Sequence, residues 1–259
     1  MNKYLEAFNR LLDIMDNLRA NCPWDKKQTF ETLRTLTIEE VYELAEAIIN
    51  NDKQEIKKEL GDILLHIVFY ARIGSETGDF DIAGVINSLC DKLVYRHPHI
   101  YGEVKVSNDI EVSDNWEKLK LNEDDDNGKT VLGGVPGSLP AMIKEYRIQD
   151  KARGAGFDWD VREQVWDKIN EEFNELKHEI KSMNHERTEK EFGDLFFSLI
   201  NAARLYGINP ENALERTNQK FIRRFSYLES KTIKNGKPLK EMNLDEMNII
   251  WEESKQTDE

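Results

Sequence analysis

The sequence predicts an all-α protein whose chain carries one pattern twice. Apolar residues recur at three- or four-residue spacing, as in Ile38, Val41, Ala45 and Ile48, and no stretch shows the alternation of a strand. An acidic signature in the first half also returns in the second half at a constant offset. The pairs Glu40 and Glu172, Glu59 and Glu191, and Asp62 and Asp194 are each 132 residues apart. Together, these observations favour two similar helical halves.

Helix boundaries follow from apolar runs that end at glycine, asparagine or proline. Asn50-Asn51, Gly74 and Gly78 fall at expected helix ends in the first half, and Gly207 and Asn209-Pro210 in the second. The helices predicted for the first half are 3–19, 29–50, 53–74, 81–96 and 110–120. Those predicted for the second half are 140–153, 161–183, 187–206, 210–231 and 243–255.

Length and a change in composition predict two domains. A chain of 259 residues suffices for about two domains of ordinary size. Glycine and proline are scarce except between Asn122 and Pro140, where an acidic run leads into Gly133-Gly134 and Pro136-Gly137. That composition is typical of a linker. We therefore predict an N-terminal domain at 1–120, a linker at 121–137 and a C-terminal domain at 138–259.

Charge and hydropathy limit the possible partners. The 50 acidic and 36 basic residues give a net charge of −14, which disfavours electrostatic binding to nucleic acid or to an anionic membrane. No run approaches the roughly 18 apolar residues of a membrane span, and the N-terminus lacks the order of a signal peptide. We expect a cytoplasmic protein without nucleic-acid or membrane partners.

Acidic residues on one helix are usually solvated, so a single cluster predicts little. Glu39, Glu43 and Glu46 lie opposite the apolar stripe of their helix, as on any amphipathic surface helix. The following helix differs because it is apolar on nearly every face, which indicates burial. Glu59 and Asp62 lie at its beginning, one turn apart. Carboxylates next to a core need cations or hydrogen-bond donors.

Antiparallel packing of these two helices would bring Glu40 and Glu43 to Glu59 and Asp62. The second half repeats the set as Glu172, Glu175, Glu191 and Asp194. Hard oxygen ligands without histidine or cysteine favour Mg²⁺, with Mn²⁺ as a substitute, over zinc. The nearby His66 is interpreted as a core residue rather than a ligand.

Mg²⁺ held by carboxylates commonly recruits substrate phosphates. Two pairs of cations, each one turn apart, could contact the same phosphate oxygens: Lys92 with Arg96, and Lys220 with Arg224. The alternative is that these are ordinary surface charges. The sequence has neither a P-loop nor a dinucleotide-binding glycine motif.

Longer motifs surround the acids in both halves. Those of the first half are Trp24-Asp25-x-x-Gln28-Thr29, Glu39-Glu40-x-x-Glu43, Glu59-x-Gly61-Asp62, Tyr95-Arg96-His97-Pro98-His99 and Asn115-Trp116-Glu117. Those of the second are Gly156-Phe157-Asp158-Trp159, Glu171-Glu172-x-x-Glu175, Glu191-x-Gly193-Asp194 and Phe221-x-Arg223-Arg224-Phe225. Over nearly its whole length the chain resembles the tandem MazG nucleoside triphosphate pyrophosphohydrolases.

The resemblance implies two all-α repeats of four-helix-bundle type, commonly assembled as a homodimer. It also implies Mg²⁺-dependent hydrolysis of NTP or dNTP to the monophosphate and pyrophosphate. In two-domain members the C-terminal repeat is usually the catalytic one. The implied catalytic residues are Glu171, Glu172, Glu175, Glu191 and Asp194, of which the last four are the metal ligands. The implied nucleotide contacts are Lys168, Glu171, Lys190, Lys220, Arg224 and Trp251.

Three questions stay open at this level. The first-half residues form a possible second site consisting of Glu39, Glu40, Glu43, Glu59, Asp62, Lys92 and Arg96. Trp251 could equally pack the last helix through its aromatic ring. The acids could also belong to a dimeric interaction module without catalysis, or to a hydrolase of a guanosine polyphosphate or a damaged nucleotide.

Overall fold

The computed structural model describes residues 2–106, 108, 111–112, 115–116, 119, 130–234, 236 and 238–256. Within these ranges the chain forms helices, turns and bends and no strand, so the predicted all-α class is confirmed. The chain divides into two compact units, Met1–Val112 and Ser113–Glu259, here called unit one and unit two. The predicted domain limits and linker involve 120–129, which lie outside the described residues, and stay predictions.

Unit one consists of a series of helices in which α2 and α3 form the main hairpin. Its described helices are α1 (Lys3–Asn21), α2 (Phe30–Ile49), α3 (Lys53–Thr77), α4 (Ile82–Arg96) and the single turn α5 (Pro98–Tyr101). A 3₁₀ turn at Asp25–Lys27 connects α1 to α2. The helix predicted at 110–120 falls largely outside the described residues.

Unit two has the same arrangement, with α7 and α8 as its main hairpin. Its described helices are α6 (Ala141–Gly154), α7 (Val165–Ser182), α8 (His185–Leu205), α9 (Pro210–Lys234) and α10 (Leu244–Lys255). Short 3₁₀ turns occur at Arg162–Gln164 and Leu239–Glu241. The predicted helices of this half agree with these bounds to within about one turn.

The two hairpins turn in the same way. Asn51 lies between α2 and α3 with a φ of 55°, and Met183 lies between α7 and α8 with a φ of 56°. The following residue caps each second helix: the Asp52 side chain accepts from the backbone N–H groups of Gln54 and Glu55, and the Asn184 side chain from that of Arg187. These turns set the facing positions of each hairpin and so bring the acidic motifs together.

The core of unit one lies between α1, α2 and α3. Its buried side chains are Met15, Leu33, Val68, Phe69 and Ile73. Burial of this apolar surface holds the α2–α3 hairpin against α1.

Two expectations about α3 were wrong. The helix does not stop at Gly74 but continues to Thr77, and Gly78 ends it with a φ of 76°. Gly74 lies beneath the Phe80 ring, where a Cβ atom would be 2.8 Å from the ring carbons, so this glycine permits close packing rather than a helix end. The expected burial on nearly every face is also absent within this single chain, since Leu60, Leu64 and Ile67 are exposed.

No helix among the described residues is long and apolar enough to cross a membrane.

Candidate active site

The α7–α8 hairpin brings three carboxylates of unit two into one cluster. Glu172 and Glu175, three residues apart on α7, face Glu191 near the beginning of α8. One oxygen from each of the three side chains lies within 4.8 Å of the others. The predicted convergence of these acids therefore occurs in the structure.

Burial and mutual repulsion strain this cluster electrostatically. Glu172 is only 6% exposed, and Glu191 is half-buried. Desolvation raises the pKa of Glu191, and the negative charges of Glu175, Asp194 and Glu172 raise it further. Among the described residues, Oε2 of Glu191 is buried without a hydrogen-bond partner. An oxygen in that state, next to two further carboxylates, suits a cation ligand.

Lys168 supplies a positive charge that contacts the cluster directly. Its Nζ donates to Glu172 Oε1 at 2.7 Å and to Glu171 Oε1 at 3.1 Å. Both contacts follow from helical geometry, because residues three and four apart share one face of α7. The hydrogen bonds to Glu172 and Glu171 raise the pKa of Lys168, so the lysine stays charged at neutral pH.

A cleft of about 500 Å³ opens beside the cluster. Asp194, the fourth predicted ligand, lies in its wall together with Lys168 and Glu172. The rest of the wall comes from α6, the segment before α7, the first residue of α7 and the middle of α8. These further residues are Gln149, Phe157, Asp158, Trp159, Val165, Phe197, Ser198 and Asn201.

Sequence reasoning missed Arg204, which forms hydrogen bonds to two residues of this wall. Arg204 donates to both carboxylate oxygens of Asp158, at 2.5 and 3.1 Å, and through Nε to Asn201 Oδ1 at 3.0 Å. Asp158 stood in a motif that precedes the acidic helix, but its partner lies 46 residues further along the chain. Spacing alone gave no signal for this pair.

The other predicted nucleotide contacts of unit two lie in two places. Lys190 pairs with Glu186 on its own helix at 3.2 Å. Arg224 lies over the Trp251 ring at 5.9 Å, and Phe221 packs on the same ring with centroids 5.1 Å apart. Trp251 thus packs α10 against α9. The nucleotide-binding roles of Lys190, Lys220, Arg224 and Trp251 stay predictions.

Unit one contains the equivalent cluster. Oxygens of Glu40, Glu43 and Glu59 lie within 4.8 Å of one another. Glu59 is 2% exposed, its Oε1 accepts from Lys58 Nζ at 2.7 Å, and its Oε2 has no partner among the described residues. Burial raises the pKa of Glu40, and the neighbouring negative charges, of which Asp62 has the largest effect, raise it further.

The remaining predicted residues of unit one lie around this cluster or on α4. Glu39 is exposed and adds to the negative potential at Glu40. Lys92 and Arg96 lie one turn apart near the end of α4, and their proposed contact with phosphate is untested. His66 is buried, and burial lowers the pKa of its imidazole, which agrees with the interpretation of a core residue.

Sequence comparison assigns both clusters to one domain type. The profile of the MazG nucleotide pyrophosphohydrolase domain matches residues 28–101 and 162–228, the two segments that contain the acidic hairpins. The chain therefore belongs to the MazG nucleotide pyrophosphohydrolase family, as the sequence motifs predicted.

Individual relatives extend the similarity along the chain. The nucleoside triphosphate pyrophosphohydrolase/pyrophosphatase MazG of Thermotoga maritima is 39% identical over 254 residues, which are 97% of each chain. The nucleoside triphosphate pyrophosphohydrolase of Escherichia coli K12 is 37% identical over 97% of this chain and 98% of that protein. Protein YabN of Bacillus subtilis is 43% identical over 97% of this chain and 52% of that protein.

Proposed function

We propose that this chain hydrolyses nucleoside triphosphates, NTP or dNTP, to the monophosphate and pyrophosphate at the cluster of unit two, with Mg²⁺ as cofactor. Membership of the MazG family supports the reaction type, and the names of the two full-length relatives support the substrate class. The observation that supports unit two as the location of the reaction is its carboxylate cluster at the edge of an open cleft.

The residues of the cluster fit Mg²⁺. Glu172, Glu175 and Glu191 offer closely spaced oxygens, Asp194 lies in the adjoining wall, and Oε2 of Glu191 is buried without a hydrogen-bond partner in the part of the chain that the structure describes. An all-oxygen donor set is the type that Mg²⁺ prefers, and Mn²⁺ can replace it. When bound there, the ion supplies positive charge against the oxygens of the substrate phosphates.

The protein side chains have separable roles in this proposal. Glu171, oriented by its hydrogen bond from Lys168, accepts the proton of the attacking water. The water oxygen forms a bond to the α-phosphorus, the bond from that phosphorus to the bridging oxygen breaks, and pyrophosphate leaves. Lys220 and Arg224 offset the charge that develops on the leaving pyrophosphate.

Release of pyrophosphate, measured on a panel of NTPs and dNTPs with Mg²⁺ and with EDTA, tests the proposal. We expect metal-dependent release that falls roughly 1,000-fold in Glu172→Gln, because the variant loses a ligand oxygen and a charge at the site. Glu40→Gln removes the equivalent carboxylate of unit one and is the matched control. Normal release from Glu172→Gln would exclude unit two as the catalytic site, and a loss confined to Glu40→Gln would move catalysis to unit one.

Two alternatives predict other outcomes of the same experiment. A non-catalytic interaction module would release no pyrophosphate from any nucleotide, and Mg²⁺ with nucleotide would not raise its melting temperature. A hydrolase specialised for guanosine polyphosphates or damaged nucleotides would be inactive on the standard panel but active on those compounds. The buried position of Glu59 and Glu172 favours catalysis, because a docking surface does not need carboxylates with low exposure.

We also infer that the chain assembles as a homodimer. Apolar side chains on the central hairpins remain exposed in the single chain, among them Leu60 and Ile67 on α3 and Phe192 and Phe196 on α8. Apolar surface of this kind on a helical protein is commonly covered by a partner. Light scattering on the purified protein tests the inference, and a monomeric mass at micromolar concentration would contradict it.

A further inference from the structure

The end of the cleft formed by α6 and α8 contains an amide side chain held in one orientation. Asn201 lies in the cleft wall and is 8% exposed. Its Oδ1 accepts a hydrogen bond from Arg204 Nε at 3.0 Å. Because a guanidinium can only donate hydrogen bonds, the group facing Arg204 must be the amide oxygen. The NH₂ group of Asn201 therefore faces away from Arg204, where it can donate to a ligand in the cleft.

Arg204 is itself fixed, so the orientation of Asn201 does not depend on a mobile partner. The two terminal nitrogens of Arg204 bind both oxygens of Asp158, and its side chain is buried. Paired contacts between a guanidinium and a carboxylate restrain both groups in plane and direction. Since Asp158 also lies in the cleft wall, one arginine positions two sides of the recess.

Aromatic side chains flank Asp158 in the same wall. Phe157 is 82% exposed and Trp159 is 39% exposed, which is unusual for rings of this size. Exposed aromatic faces in a concave wall suit planar ligands that stack. The cleft volume of about 500 Å³ lies within the range of about 300–1,000 Å³ that small-molecule sites occupy.

We propose that this recess binds the nucleoside part of the substrate and that the Asn201 amide donates a hydrogen bond to an acceptor atom of the base. The inference rests on the proposed function, because it divides one cleft between two parts of one ligand. Asp194 and Asn201 lie about two turns, or roughly 10 Å, apart along α8, so Lys168, Glu172 and Asp194 mark the charged end of the cleft, where the phosphates belong. The end with Phe157, Trp159 and Asn201 offers ring faces and a neutral donor, which suit a base better than a phosphate.

The residues of unit one that correspond to Asn201 and Arg204 do not form such a pair, which supports the assignment of this pair as a specific feature of unit two. At the 132-residue offset, Asn201 corresponds to Phe69, a fully buried core residue. Arg204 corresponds to Arg72, whose Nε pairs with Asp16 on α1 at 2.6 Å instead of orienting an amide. The carboxylate cluster is thus common to both units, whereas the amide and its arginine support belong to unit two.

Exchange of the donor for an acceptor tests the inference. Asn201→Asp keeps the size of the side chain and the bond from Arg204, but it presents a carboxylate oxygen to the base. We expect the ratio of kcat/KM for amino bases (ATP and CTP) to that for keto bases (GTP and UTP) to rise about tenfold, since one hydrogen bond changes its direction. Asn212→Asp, an exposed change on α9 with the same added charge, is the control and should leave the ratio unchanged.

A second variant keeps the inference testable if Asn201→Asp does not fold. Phe157→Ala removes an exposed ring and should raise KM for all four nucleotides while circular dichroism stays unchanged. An unaltered base ratio in folded Asn201→Asp, or an unaltered KM in Phe157→Ala, would overturn the nucleoside assignment. Absence of pyrophosphate release from the wild type would instead contradict the proposed function, so the two failures are distinguishable.

Discussion

The two units place the most buried carboxylate of each cluster on different helices. In unit one it is Glu59 on α3, and its counter-charge is the adjacent Lys58. In unit two it is Glu172 on α7, and its counter-charge is Lys168, one turn earlier on the same helix. The two copies of the acidic motif therefore differ in which glutamate is most buried and in which lysine neutralises it.

The residues that correspond across the repeat explain the difference. At the offset of 132 residues, Lys168 of unit two corresponds to Leu36, which packs against the core of unit one. Ser198 and Asn201 in the cleft wall correspond to the buried His66 and Phe69. Unit one thus uses for packing the positions that unit two uses to line a cleft.

Among the substitutions that test this difference between the units, we expect the largest effect from a change at Lys168. Lys168→Leu gives unit two the residue type of unit one and leaves Glu172 buried without its cation. We expect kcat/KM for pyrophosphate release to fall roughly 100-fold, in line with the cost of losing a charged hydrogen bond and leaving a buried charge unpaired.

Lys58→Leu provides the matched control for that measurement, because Lys58 has the same 2.7 Å bond to a buried glutamate in unit one. It should leave kcat/KM within about twofold of the wild type, since the proposed catalytic site lies in unit two. Equal losses in the two variants would show that both clusters contribute to turnover and would remove the functional distinction between the units.

A smaller effect, on the pH dependence of stability, is expected from Glu145, a buried residue of α6. Its two carboxylate oxygens lack hydrogen-bond partners of good geometry among the described residues. Burial raises the pKa of Glu145 to about 7, and Gln149 and Arg204 offset only part of this effect. In unit one the arginine equivalent to Arg204 pairs with a mostly exposed aspartate, Asp16.

Folding therefore holds a proton on Glu145 between its unfolded pKa, about 4.3, and about 7. In that window the folded state binds more protons than the unfolded state, so the free energy of unfolding falls as pH rises and then levels off. Glu145→Gln cannot titrate. The free energy of unfolding of Glu145→Gln minus that of the wild type should therefore increase by on the order of 2 kcal/mol as the pH rises from 5 to 8.

Urea denaturation at several pH values measures this difference. Asp16→Asn is the control from unit one, and an exposed ion pair should change stability by less than about 1 kcal/mol. Parallel pH profiles for the wild type and Glu145→Gln would show that the carboxyl stays ionised and solvated in the folded protein.

The features that the two units share could be predicted from the sequence better than the features in which they differ. The constant offset of the acids and the helical spacing sufficed for the all-α class, the paired hairpins and the convergence of Glu172, Glu175 and Glu191. These features depend on local periodicity, which a sequence displays directly.

The features that sequence analysis missed depend on partners far apart in the chain. The pair of Arg204 with Asp158 and the isolation of Glu145 follow from packing among α6, α8 and the segment before α7. The expected burial of α3 on all faces was wrong because a hydrophobic pattern does not say whether a neighbouring element of the same chain covers it.

The smallest expected effect concerns Gly74, where the two units end their second hairpin helix differently. The corresponding residue of unit two is Tyr206, which follows the end of α8 and accepts a hydrogen bond from Trp166. In unit one α3 continues to Thr77, and the Phe80 ring packs directly against Gly74. Gly74→Ala should destabilise the protein by about 1 kcal/mol, since the half-exposed ring can shift in part. Gly84→Ala, whose Cβ would lie 3.4 Å from Asp81 Oδ1, should instead gain about 0.5 kcal/mol. Thermal denaturation measures both, and a stabilised Gly74→Ala would mean that the Phe80 ring does not pack closely against Gly74.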